Sequence, residues 1–200
     1  MDAMIEETPT SAPLARAAAL RARRLKYWRL AALVVAALGL NILVLFIPPS
    51  WIEGLRGYEL LGYLVAFGIT ALANASVIVP IPYPGLIALL ARVLGNPLGV
   101  ALAGAAGSTL GETTAFLIGR AGRGVVEDTR FYRWLKTQLR TPTRAFLVIF
   151  LLSAPPNPFF DVAGLTAGSL GVSFPVFLTA TFLGRIIKLL IFAGAGQQLL

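Results

Sequence analysis

The sequence predicts an all-α integral membrane protein. Its core is expected to be an inverted repeat of two re-entrant helical hairpins, each followed by a transmembrane helix, with an N-terminal transmembrane helix and an amphipathic interfacial helix added. Three observations carry this expectation. Of 200 residues, 57% are hydrophobic and 13% charged, about half the charged share of a soluble domain, so a bilayer is the solvent that accepts the chain. The net charge of +8 is clustered beside apolar segments and is not interleaved with base-stacking aromatics, which fits membrane topology and excludes nucleic acid as a partner. Two Pro-rich breaks, finally, interrupt long apolar runs. The chain has no Cys and no His, so disulfides, thiol nucleophiles, Ser-His devices and zinc or haem ligation by these residues are excluded, and no metal or cofactor is expected.

The elements follow in order. Residues 1–29 form a basic segment carrying Arg16, Arg21, Arg23, Arg24, Lys26 and Arg29. Residues 30–200 form the membrane domain. Residues 30–47 carry no charge and rise about 27 Å as a helix, enough to span a core of about 30 Å with their flanks. A cleaved signal peptide is the alternative, opposed by the polar leader and by Ile47-Pro48-Pro49-Ser50-Trp51 where a small-residue cleavage site would stand. A second basic zone holds Arg120, Arg123, Arg130, Arg133, Lys136, Arg140 and Arg144. The positive-inside rule places both zones, and hence the N-terminus, in the cytoplasm.

Two cytoplasmic zones are joined by an even number of crossings. Residues 30–47 and the apolar run 98–118 make that pair, so residues 60–95 make no net crossing. Their Pro80-Ile81-Pro82-Tyr83-Pro84-Gly85 cluster cannot continue a helix, and a re-entrant hairpin opening to the outside is expected. Residues 145–171 repeat the device, broken at Pro155-Pro156-Asn157-Pro158 and closed by Gly164, Gly168 and Gly171. Residues 174–193 then make the third crossing. From Pro84 to Gly111 and from Pro158 to Gly184 the spacing is nearly the same, and each Gly is followed by an ionisable residue, Glu112 or Arg185. Inverted repeats with broken helices are a transporter architecture; a chain rich in Gly and Pro also offers such spacings by coincidence.

Between the hairpins, Phe131, Trp134, Leu135, Gln138 and Leu139 share one helical face while Arg130, Arg133, Lys136 and Arg140 share the other, with Asp128 as N-cap and Pro142 as stop. This helix is expected in the headgroup plane, its cations toward anionic lipid. Packing on the protein's own hairpin is the other reading.

Four ionisable residues interrupt apolar segments: Glu112, Asp161, Arg185 and Lys188. A charge at the centre of a membrane helix costs about 2.5–3.5 kcal/mol on insertion scales, which makes each a functional candidate with a partner nearby. Glu112 is therefore expected within ion-pair reach of Arg185 or Lys188, either as a staple between repeats or as part of a substrate path. Asn157 would donate its amide to carbonyls freed by the prolines or to a phosphate oxygen, or simply fasten the turn. Gly111, Gly119, Gly164, Gly168 and Gly184 are expected at helix packing contacts. No enzyme motif is found; a Glu112–Asp161 carboxylate dyad has no other support.

The stretch Gly111-Glu112-Thr113-Thr114-Ala115-Phe116-Leu117-Ile118-Gly119-Arg120, together with Pro156-Asn157-Pro158-Phe159-Phe160-Asp161-Val162-Ala163-Gly164 and the later Gly184, resembles the VTT domain of the DedA (SNARE-associated) superfamily over roughly residues 60–195. The second motif is most similar to the vacuole membrane protein branch. The resemblance implies an integral membrane protein, placed here in a bacterial plasma membrane, that moves phospholipid between leaflets, as a scramblase or as a polyprenyl-phosphate or proton-coupled transporter. Bacterial members carry an acid after the Pro-Gly of the first hairpin and arginines around the second break. Leu86 and the apolar run around Pro155 and Pro156 stand there instead, which favours a zwitterionic phospholipid and a scramblase. The expected substrate path is Glu112, Asn157, Asp161, Arg185 and Lys188; the expected partners are membrane phospholipids, with a homo-oligomer left open. A non-transporting membrane scaffold is the rival from another class.

Overall fold

A computed structural model describes residues 57–75, 83–122, 130–156 and 160–198, with isolated positions 28, 35, 39 and 54. Apart from those positions, the basic segment 1–29 and the crossing expected over 30–47 lie outside the described residues, as do Pro80, Pro82, Asp128, Asn157 and Pro158. Among the described residues there are seven helices and no strand, all within the unit Leu40–Leu200.

Helix α1 (Glu59–Ala75) begins with Glu59, whose charge complements the positive helix end. It buries a stripe of small residues, Gly62, Ala66, Thr70 and Ala73, and leaves Leu60, Leu61, Leu64 and Leu72 exposed. Such a ridge of exposed leucines is at home in hydrocarbon and a liability in water. Helix α2 (Pro84–Leu94) starts on a proline, whose missing amide is harmless in the first turn, and ends at Gly95 in the left-handed region, φ 65°. One residue later Asn96 caps α3 (Pro97–Ala121), its Oδ1 accepting from the Gly99 amide at 2.8 Å while its Nδ2 donates to Tyr63 of α1 at 3.0 Å.

The second half is built the same way. Helix α4 (Arg130–Gln138) leads through Thr141 into α5 (Pro142–Ser153), again opened by a proline. Pro155 and Pro156 follow α5 as exposed bends. Helix α6 (Phe160–Ser169) closes at Gly171, φ 73°. There the Gly171 amide donates to Gly168 and the Val172 amide to Ala167, both at 3.0 Å, the double bond pattern that seals a helix end. Helix α7 (Phe174–Gln198) completes the chain and extends the expected 174–193 crossing. It is the one helix among the described residues both long and apolar enough to cross a membrane, over Phe174–Gly196 with mean hydropathy 1.9. Helix α3 matches its length at 25 residues, but Gly, Ser, Thr and Glu112 make it less apolar.

The packing is crosswise. Helix α3 packs against α1 of its own half and α6 of the other, α7 packs against α5 of its own half and α2 of the other, and α3 and α7 pack together. The glycines set how closely. A Cβ at Gly111 would overlap the Ala71 carbonyl and stand 2.8 Å from the Ala75 amide; at Gly184 it would stand 2.7 Å from the Phe150 carbonyl and 3.1 Å from the Ala154 amide. Gly111 thus rests on the backbone at the end of α1, and Gly184 on the backbone and the Ser153 hydroxyl at the end of α5. Gly119 lies against the Leu165 carbonyl and Gly168 against the Phe116 carbonyl, so α3 and α6 share a close approach that any side chain would block, whereas Gly164 meets only ordinary contacts at 3.6 Å.

Two hydrophobic cores result. One joins α1, α2, the start of α3 and the end of α7, with Ile87, Leu90, Val100 and Leu189 buried. The other joins the end of α3, α4, α5, α6 and the start of α7, with Phe116, Leu135, Ile149, Phe160 and Phe177 buried. Helix α4 puts Leu135 and Leu139 into this second core, so its apolar face is covered by the protein's own helices. Trp134, 44% exposed, stays outside with Phe131 stacked on it at 5.8 Å, and Arg130, Arg133, Lys136 and Arg140 are exposed. Pro142, expected as the stop of α4, is the first residue of α5.

Candidate functional site

Between the two cores lies a polar band where α3 and α7 cross. The crossing is antiparallel: Leu189 lies against Gly104 at one end, and Phe116 stacks on Phe177 at 4.6 Å at the other. That register sets Ser108 and Glu112 level with Arg185 and Thr181. Glu112 is 0% and Arg185 2% exposed. An Arg185 Nη donates to Glu112 Oε1, an ion pair bridging 73 residues of chain. The partner demanded by two isolated charges in apolar runs is therefore present. In a low-dielectric surround each member holds the other, since neither can be left alone at a bearable cost.

Aromatic rings close the cationic side. The Arg185 guanidinium carbon sits 4.6 Å from the centroid of Phe160, the first residue of α6, and Lys188 Nζ, on a residue 8% exposed, lies 5.9 Å from that of Tyr83, the residue before α2. Both cations of α7 thus face an aromatic ring at the start of a short helix, α6 for Arg185 and α2 for Lys188, with cation–π attraction strengthened by the dry setting. The hydroxyls of Ser108, Thr109 and Thr181 are buried nearby in sequence, one turn before Glu112 or Arg185 on their helices.

Of the residues expected from the sequence, Glu112, Arg185 and Lys188 are brought to this band. Asp161 lies in the first turn of α6, next to Phe160, and its side chain is outside the described residues, as is all of Asn157. Pro84 opens α2. The basic residues Arg130, Arg133 and Lys136 lie on α4 and Arg140 in the turn after it, all on the surface.

Sequence reasoning missed several participants. A Cβ at Gly107 would overlap the Phe67 carbonyl and one at Gly196 the Ala88 carbonyl. Gly107 and Gly111 form a G-x-x-x-G pair, a readable signal for close helix approach, whereas nothing local marks Gly196. Thr70 Oγ1 donates to Gly104 O of α3 at 2.8 Å, and Ser153 Oγ to Thr181 O of α7 at 3.2 Å. Each first helix is thereby tied to the long helix of its half. Ser108 and Thr181 have a signal too: each precedes a buried charge by four residues.

Against known proteins, the VTT domain family matches residues 81–198. The vacuole membrane protein KMS1 of Arabidopsis thaliana is 30% identical over 40% of this chain and 24% of its own length. The chain thus covers about a quarter of that relative. No solved structure matches.

Proposed function

Given that the chain belongs to the VTT-domain family, we propose that it moves phospholipid between the leaflets of a bilayer as a scramblase-like translocase. In this reading α1–α2 and α5–α6 are re-entrant hairpins entering from opposite faces, α2, α5 and α6 being too short to span alone, and α3 and α7 are the crossings of an inverted repeat. The left-handed glycines after α2 and α6, the crosswise packing and the glycine seats on α1 and α5 support it. The observation that carries the proposal is the Glu112–Arg185 pair buried at the crossing with Phe160 against its guanidinium, and Lys188 one turn further along α7 against Tyr83. Irregular backbone and paired charge at this depth mark a polar route for a headgroup while acyl chains stay in lipid. Glu112, Asn157, Asp161, Arg185 and Lys188 line that route.

The test is a fluorescent-lipid assay. In liposomes holding the purified protein, a membrane-impermeant quencher is expected to reach more label than the outer leaflet contains, with zwitterionic headgroups at least as good as anionic ones. Quenching equal to that of empty vesicles across several headgroups refutes the proposal. The scaffold reading is favoured by one observation, the exposed cations of α4 beside Trp134, which suit a membrane surface; it expects no flux above that of empty vesicles.

A further inference from the structure

The polar band does not satisfy itself. Ser108 Oγ, Thr109 Oγ1, Thr181 Oγ1 and Arg185 Nε are buried without a hydrogen-bond partner among the described residues. A helical hydroxyl ordinarily turns back to the carbonyl three or four residues earlier, as Thr70, Thr113, Thr114 and Thr179 do. The hydroxyls at the crossing do not. Ser108 and Thr181 are both 0% exposed, and each sits one turn before a member of the ion pair. Buried polar groups left open in this way are where a bound molecule completes the hydrogen bonding.

The chemistry of the open groups selects the ligand. Arg185 Nε only donates, and hydroxyls both donate and accept. A water molecule takes two to four such partners and bridges donors to acceptors without adding charge to a band that already pairs an acid with a base. Thr109 also lines a groove of about 370 Å³ together with Phe67, Leu110, Leu178 and Phe182. We infer that the α3–α7 crossing is a hydrated site, in which water completes the hydrogen bonding of the Ser108 and Thr181 hydroxyls and of Arg185 Nε. Water at the guanidinium also lowers the desolvation cost of the ion pair. The inference concerns what occupies the crossing and does not depend on lipid being moved.

The chain contains no cysteine, so single-cysteine variants report cleanly. Ser108→Cys, Thr109→Cys and Thr181→Cys are compared with Ala105→Cys, a position fully buried in the first core. Vesicles are exposed to silver ion for increasing times, then denatured, and the unblocked thiol is labelled with a maleimide. Only thiolate reacts, and a dry apolar site suppresses it by about tenfold for each unit by which burial raises the thiol pKa. The three crossing thiols are therefore expected to be blocked at least about tenfold faster than that at Ala105. Equal rates at all four positions overturn the inference. Where the variants fail to assemble, a density map of the unaltered protein in a lipid disc decides: solvent peaks within hydrogen-bonding distance of Ser108 Oγ and Thr181 Oγ1 support the hydrated site, and a dry gap or a bound anion alone overturns it.

Discussion

Removing one member of the Glu112–Arg185 pair strands the other. Both side chains are almost completely buried, so Glu112→Met leaves a guanidinium between two apolar cores, and Arg185→Met leaves a carboxylate there. Breaking a buried pair in this way costs about 3–5 kcal/mol, whereas replacing both partners with apolar side chains of similar volume is often near neutral. For a chain of 150–250 residues each kcal/mol moves Tm by about 2–4 °C. Each single variant is therefore expected to lose roughly 6–20 °C. The double variant should recover most of that, helped by a methionine sulfur against Phe160 in place of the guanidinium. The assay is size-exclusion chromatography after heating in detergent, with all four proteins purified in parallel. A double variant no more stable than the worse single, or singles as stable as the unaltered protein, refutes the argument that these charges hold each other. The same double variant separates structure from function, because a staple leaves lipid movement intact and a substrate path does not.

Other substitutions probe the rest of the fold. Gly107→Ala and Gly168→Ala drive a methyl into a facing backbone carbonyl and are expected to lose about 1–3 kcal/mol, read as lower Tm. Gly164→Ala meets only van der Waals contact and should be neutral or gain up to about 1 kcal/mol of helix propensity; equal losses at all three positions would contradict the packing described. Thr70→Val removes the interhelical bond to Gly104 and is expected to cost about 0.6 kcal/mol, at most about 1.7, by the same heating assay. Reversing Arg130, Arg133 and Lys136 to Glu is expected to keep lipid flux while weakening the attraction of the protein's surface for anionic vesicles, each cation being worth about 1 kcal/mol near such a membrane. Lost flux with intact folding would refute this expectation and place these cations in the lipid path.

Pro84, Pro97 and Pro142 each open a helix, a local signal that reading Pro84 as a break and Pro142 as a stop left half used. The ion pair was also legible, because charges in apolar runs demand a partner, and the sequence narrowed that partner to Arg185 or Lys188. What covers an apolar face was not. The periodicity of α4 identifies Leu135 and Leu139 as apolar, but a lipid surface and a protein core ask for the same pattern, and only the structure places them in the second core. The caps formed by Tyr83 and Phe160 were equally hidden, since a cation over a ring depends on how a hairpin folds against a distant helix. Gly196 shows the limit from another side: its neighbour Ala88 is far away in sequence, and no spacing rule connects them.

The crosswise packing has a consequence for biosynthesis. While the ribosome is still adding the second half, α3 has its own α1 to lean on, but the helices meant for its other sides, α6 and α7, do not yet exist, and Glu112 has emerged 73 residues ahead of Arg185. The nascent domain must therefore wait in the membrane with an acid unanswered and a glycine face unfilled. Both are answered only when α7 arrives, which makes Arg185 the residue that completes the band.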